Sequence, residues 1–340
     1  MPIDYIAFTE QIKKGLVGKA YLFYGTEDYL IRQALERVKN ALIPAELEML
    51  NESRLVDPTV STFIETVETY PAFCDRRLII VEQWQLFSNE GKENKDEAER
   101  LAEYIKNIPE YACVVIVLHN KPDGKRRLTK ALEAAAQSVE FGKPDENTLA
   151  RWITRQAKAS GISISDKNAR FLAFYSGADL TQLAQEIDKL CVYCANSGVV
   201  EEEDIRATAS QSVSGSIFDL TDALLIGNTS GAYKVIDNLK SDGESAIGLL
   251  SFLSSQFRKM RLINQVGANS TQAQTASAVG LTGWAFEKTA ERAKKVSAGK
   301  LDRAIQLITN TDIAIREGDI AQEYAIDKIL LGIANIMHGE

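Results

Sequence analysis

The chain has 340 residues, 45% of them hydrophobic and 25% charged, and a formal net charge of -8. That length exceeds one ordinary core, so two or three domains are expected, and the acidity argues against a protein that coats nucleic acid unaided. No apolar run approaches the roughly 20 residues of a membrane span, and residues 1–15 lack the core of a signal peptide, so a cytoplasmic protein is expected.

In chain order, a short helix over 5–14 precedes a strand at 20–24. Gly25-Thr-Glu27-Asp28 is a turn, and 29–42 is a helix with Leu30, Ala34, Leu35, Val38 and Leu42 on one face. Thr26 or Asp28 is the expected cap of that helix. Residues 48–51 read as a weak second strand and 59–69 as a helix. Next comes a turn marked by Pro71 and Asp75 that carries one large apolar side chain, Phe73. The run at 78–81 is a strand buried on both faces, followed by a charged helix over 95–108. Six acids against three bases over 90–103 read as a solvated face. A fully apolar strand at 113–118, a helix over 126–136 and a short strand at 139–141 complete the region. Strands alternating with helices imply an α/β domain with a parallel sheet, over residues 1–142.

Gly142-Lys143-Pro144 ends that pattern, and only helices are expected beyond it, at 146–159, 166–175, 180–195 and 202–209. The small polar stretch 210–216 reads as a linker. Helical periodicity then covers 217–226, 232–239, 246–266, 284–296, 300–316 and 322–337. The expected division is an α/β domain (1–142), a small helical domain (143–211) and a helical bundle (212–340), the last more suited to packing or oligomerisation than to catalysis.

The chemistry available is sparse. A phosphate loop at 21–35 needs several glycines, a lysine and a Ser or Thr. The chain offers Gly25 alone, with Glu27 and Asp28 as two carboxylates that repel phosphate and Tyr29 following. The next strand ends in a single carboxylate, Glu82, which reads as a strand-end acid meeting solvent or a helix terminus. Only His119 and His338 are present, and no catalytic motif or second metal-ligand pair accompanies Cys191 and Cys194. Their spacing continues the helical pattern of Leu183, Ile187 and Leu190 and reads as helix packing. No catalytic residue, metal ligand or cofactor is therefore expected. Basic clusters at 121–127, 258–261 and 294–295 can serve as phosphate contacts or as solvated helix ends. Phe73 has two readings as well: it tucks under its own domain, or it is offered to a partner as an anchor.

The segments Tyr21-Leu-Phe-Tyr-Gly25-x-Glu27-x-Tyr29-Leu30 and Pro71-Ala72-Phe73 before Arg76-Arg77-Leu78-Ile-Ile-Val81 resemble the delta subunit of the bacterial DNA polymerase III clamp loader. The resemblance continues through Gly177-Ala-Asp-Leu180-x-x-Leu183-x-x-Glu186-x-x-Lys189-Leu190, Ser216-Ile-Phe218-Asp-Leu220-x-x-Ala223, Gln256-Phe257-Arg258 and Asp312-x-Ala314-Ile315-x-x-Gly318, so it spans essentially the whole chain. It implies an AAA+-like domain with a degenerate nucleotide loop (Gly25, Glu27, Tyr29), a helical lid and an all-α collar domain within a five-subunit ring. It implies no ATP hydrolysis by this subunit, although it works inside a polymerase holoenzyme. The implied partners are the sliding clamp (beta subunit), the gamma/tau and delta-prime type subunits, and primed DNA in the assembled complex, with no membrane. The family presents a hydrophobic pair, usually Leu-Phe or Phe-Phe, on the turn before the strand. Here that pair falls on Ala72-Phe73, with Pro71 and Tyr70 beside it, and Ala72 is smaller than the family's usual residue. The rival readings are an active AAA+-type ATPase with an unusual phosphate loop and a stand-alone DNA-binding protein.

Overall fold

The computed structural model describes residues 2–87, 95–267, 270–281 and 283–338, which fall into two compact units, Met1–Lys143 and Pro144–Glu340. In the first unit the elements are β1 (Ile3–Asp4), α1 (Tyr5–Lys13), β2 (Ala20–Gly25), α2 (Asp28–Leu42), α3 (Glu48–Asn51), β3 (Glu52–Val56), α4 (Val60–Val67), β4 (Arg77–Glu82), α5 (Lys95–Tyr104), β5 (Ala112–Leu118), α6 (Arg127–Ala135) and β6 (Gln137–Phe141). The strands form one sheet in the order β1-β6-β2-β5-β4-β3, every pair parallel.

The three continuously apolar runs take the centre, because only there are both faces covered. Leu22 pairs with Ile116, and Ile79 with Val114, and all four are fully buried. One face packs against Phe63, Leu101, Ile105 and Leu132 from the covering helices. An aromatic cluster of Phe8, Tyr21, Phe23 and Phe141 has ring centroids 5.0–5.7 Å apart. The first half of the acidic run, 90–94, lies outside the described residues.

Two expectations for this unit are corrected. Residues 48–51 form a helical turn, and the strand begins only at Glu52; Glu, Met and Leu favour helix, and the segment has no β-branched residue to favour a strand. Neither Thr26 nor Asp28 caps α2: Glu27 holds the cap position without a side-chain cap bond, and Asp28 opens the helix.

The second unit contains α7 (Glu146–Ala159), β7 (Ser163–Ile164), α8 (Asp166–Ser176), α9 (Leu180–Tyr193), β8 (Val199–Val200), α10 (Glu202–Thr208), α11 (Val213–Leu225), α12 (Thr229–Ser241), α13 (Ala246–Val266), α14 (Gln272–Val279), α15 (Gly283–Lys295), α16 (Ala298–Glu317) and α17 (Gln322–His338). It is not purely helical: β7 and β8 make a two-residue parallel pair, too short for sequence periodicity to register. Helix α14 has a polar, weakly periodic sequence and was not expected; a capping box between Thr271 and Gln274 starts it.

The polar stretch 210–216 is not a linker. Ser212 caps α11 by accepting from Gly215 N–H, and Ser216 is buried. A Cβ on Gly215 would sit 2.5 Å from the Tyr175 carbonyl oxygen, so the small residues serve close packing of α11 on α8. Around that contact Phe174 meets Phe218, and Trp284 of α15 meets Phe171, Phe174 and Phe218, at centroid separations of 4.9–5.2 Å. Arg206 and Arg292 lie over the Phe171 and Phe218 rings and pair with Asp219 and Asp222. Segments 143–211 and 212–340 thus pack against each other through this aromatic contact. Among the described residues no helix is long and apolar enough to cross a membrane.

Candidate functional site

Because all strands of the first unit run parallel, its sheet has two chemically different ends. The loop after β2, with Gly25, Glu27 and Tyr29, lies at the carboxyl end, where α/β sheets usually bind ligands. The turn before β4, with Tyr70, Pro71, Ala72 and Phe73, lies at the amino end.

At the carboxyl end the phosphate-loop position is closed by the protein's own backbone. The N–H groups of Thr26 and Glu27 both donate to the Phe141 carbonyl, at 3.1 Å each. Gly25 has φ +143°, and a Cβ there would lie 2.2 Å from the same oxygen. Backbone N–H groups that wrap phosphate in a nucleotide loop are already satisfied here, and Asp28, 3.1 Å from His119, adds negative charge. Tyr29 is half-buried, its hydroxyl accepting from Gln33. Glu82, at the end of β4, is 4.0 Å from Arg54, so it takes the strand-end role.

At the amino end Phe73 is 90% exposed and holds φ +59°. A non-glycine residue in that left-handed region costs on the order of 1–2 kcal/mol, and a bulky one there is rare. Exposure of an aromatic ring and backbone strain coincide on one residue, an arrangement that persists only where neighbours enforce it. They are identifiable. Asn51, fully buried at the end of α3, accepts from Ala72 N–H (2.7 Å) and donates to the Ala72 carbonyl (2.9 Å) and the Leu47 carbonyl (3.1 Å). Its amide acts as a peptide group would, fixing the residue just before Phe73 from both sides. Arg77, 6% exposed, donates to the Thr69 carbonyl and to Ser53 Oγ; burial holds its guanidinium below the usual value. Arg76 donates to the carbonyls of Val17 and Gly18, tying the loop before β2 to the same end. Tyr70 is exposed and stacks on Tyr111 at 4.6 Å. Pro71 and Ala72 are half-buried.

Sequence reading named the turn but not its brace. Asn51, within what was expected to be a strand, carried no motif; an asparagine just before a strand was the available signal, and it pointed only to a turn.

Arg127 pairs with Glu99 and Arg261 with Asp302, each at 2.7 Å. Arg258, Lys259 and Arg316 line a groove of about 430 Å³ between α13 and α16, with Ser254, Ser255 and Asp312. Cys191 donates to the Ser160 carbonyl and Cys194 is buried at the end of α9, its thiol pushed up by burial. Among the described residues no group of three or more His, Cys, Asp and Glu side chains is gathered as for a metal ion.

The first unit is a parallel α/β module and the second is largely helical. Residues 21–142 match the family model of the DNA polymerase III delta subunit, and 214–333 match the model of that subunit's C-terminal domain. The chain belongs to the DNA polymerase III delta subunit family. It is 24% identical to DNA polymerase III subunit delta of Bacillus subtilis over 328 residues, covering 95% of this chain and 94% of that one. It is 22% identical to the Escherichia coli subunit over 320 residues, covering 90% and 88%. In fold it is similar to the Bacillus subtilis DNA clamp loader delta protein, with a TM-score of 0.58 at 23% identity, covering 97% of this chain and 99% of that one.

Proposed function

We propose that this chain is a non-catalytic clamp-loader subunit that grips the sliding clamp through the turn at 70–73 and favours its open form. The observation that carries the reading is Phe73, exposed and in a strained backbone conformation on a turn that Asn51 and Arg77 brace from inside. A side chain kept in that state has no role in the free domain's own packing, whereas an interface anchor needs a rigid, protruding aromatic. Ala72 is the residue whose backbone Asn51 grips, and Pro71 and Tyr70 flank the anchor.

The mechanism is differential binding. Contacts made better to an open ring than to a closed one shift the ring's equilibrium by the difference in affinity, without chemistry on this chain. The closed backbone at Gly25, Glu27 and Tyr29 supports a subunit that leaves ATP hydrolysis to partners of the gamma/tau and delta-prime type. In this reading 143–211 is the lid and 212–340 the collar that joins a cytoplasmic ring of subunits around primed DNA.

The test is surface plasmon resonance between the full chain and the sliding clamp of its own organism. Wild type is expected to bind, Phe73→Ala to bind much more weakly, and Ala72→Asp with Phe73→Ala not at all, all three remaining folded by circular dichroism. Equal binding by the three removes the turn from the interface. ATP turnover by the pure chain that Gly25 or Glu27 substitutions abolish, or tight salt-sensitive duplex binding without partners, overturns the non-catalytic and clamp-directed parts respectively.

A further inference from the structure

The exposed large apolar side chains of the sheet unit are not scattered. Among its described residues Leu16, Met49, Leu50, Tyr70 and Phe73 sit on segments at the amino end of the sheet, and only Val56 lies at the other. Met49 is 98% exposed and Leu50 54%, on the helical turn α3 that ends in Asn51. Two exposed apolar residues in succession, on a four-residue helix, contribute little to the core of the free domain.

Asn51 links these residues to Phe73. Its side chain holds Ala72 by both backbone groups and simultaneously accepts no freedom of its own, because it also donates to Leu47 at the start of α3. Leu50 is adjacent to Asn51 and Phe73 is adjacent to Ala72, so with successive Cα atoms about 3.8 Å apart the two apolar groups lie within the span of a single interface.

We propose that Met49 and Leu50 form a second anchor on the same sliding clamp beside Phe73, and that Asn51 is the positioning residue that sets the two at a fixed spacing. This rests on the clamp-binding reading and deepens it. A small Ala72 then follows from its place: its backbone is the part gripped, and the second bulky contact comes from α3 across the Asn51 bridge. A rigid two-point contact loses less conformational freedom on binding than two independent ones, and the expected interface is correspondingly long-lived. The occupant is an apolar surface of the ring protein continuous with the pocket that takes Phe73; a second copy of this chain is the competing occupant.

The experiment measures clamp binding by the full chain as wild type, Phe73→Ala, the pair Met49→Ser with Leu50→Ser, Asn51→Ala, and Asn51→Ala with Phe73→Ala. Sedimentation of the chain alone runs in parallel. The serine pair is expected to weaken binding about tenfold, mostly through faster dissociation, with an unchanged unfolding midpoint because both side chains are exposed. Asn51→Ala is expected to weaken binding, and to weaken it much less once Phe73 is already alanine. That non-additivity separates positioning from a general loss of stability. If the serine pair binds as wild type while Phe73→Ala does not, the second anchor is overturned and the clamp reading stands. If Phe73→Ala also binds as wild type, or wild type does not bind, both are overturned. Self-association of the wild type that the serine pair abolishes, with clamp binding unchanged, assigns α3 to a second copy and overturns the proposal.

Discussion

Replacing Phe73 by glycine separates the residue's cost to the free domain from its value to an interface. At φ +59° the phenylalanine costs on the order of 1–2 kcal/mol relative to relaxed backbone, a cost glycine does not carry. Against that, glycine loses more chain entropy on folding, roughly 0.5–1 kcal/mol. The ring contributes little packing to offset either effect, since 90% of the residue is exposed. The sum is a stabilisation of about 0.5–1 kcal/mol, a rise of roughly 2–4 °C in the unfolding midpoint for a unit of this size. Clamp affinity is expected to move the other way, by at least about 2 kcal/mol, or roughly thirtyfold, if the ring is an anchor. Phe73→Ala is the control, because it removes the ring but keeps a Cβ in the left-handed region. Differential scanning calorimetry and surface plasmon resonance on the three proteins read both effects. A glycine variant less stable than wild type refutes the strain argument, and one that is more stable but binds unchanged refutes the anchor.

Gly25→Ala places a Cβ against the Phe141 carbonyl, with φ in a region alanine avoids, and is expected to destabilise the sheet unit by about 3 kcal/mol or more in urea unfolding. Gly215→Ala meets the Tyr175 carbonyl in the same way, so the second unit is expected to lose about 2–3 kcal/mol by the same measurement, and a neutral result would mean α11 can shift away from α8. The Tyr175 phenol is pushed up to about 12 by burial, reinforced by the nearby Asp219 carboxylate. Its folded-state value lies above the ordinary one of 10.0, so its contribution to stability is complete below pH 10 and is lost as pH rises towards 12. Tyr175→Phe is expected to flatten the decline of the thermal midpoint over that window, and an unchanged slope would show that other groups set it.

Most elements were legible because their signals are local. The runs at 78–81 and 113–118 can be covered on both faces only inside a parallel sheet, and the helices at 146–159 and 246–266 follow from apolar period and caps, matching α7 and α13 residue for residue. The missing lysine and glycines of a phosphate loop were equally visible in Gly25-Thr-Glu27.

What the sequence left open depended on chain segments that meet only in the folded molecule. The exposure of Phe73 could not be decided from its turn, because the groups that hold the turn are Asn51, twenty-one residues earlier, and Arg77 on the following strand. Residues 48–51 carry no periodicity to mark the brace. Likewise, the closing of the Gly25 loop by the Phe141 carbonyl, and the burial of Ser216 in what reads as a polar linker, arise from close backbone approach. Hydropathy patterns report which face of an element is apolar; they do not report which distant carbonyl or amide it will touch.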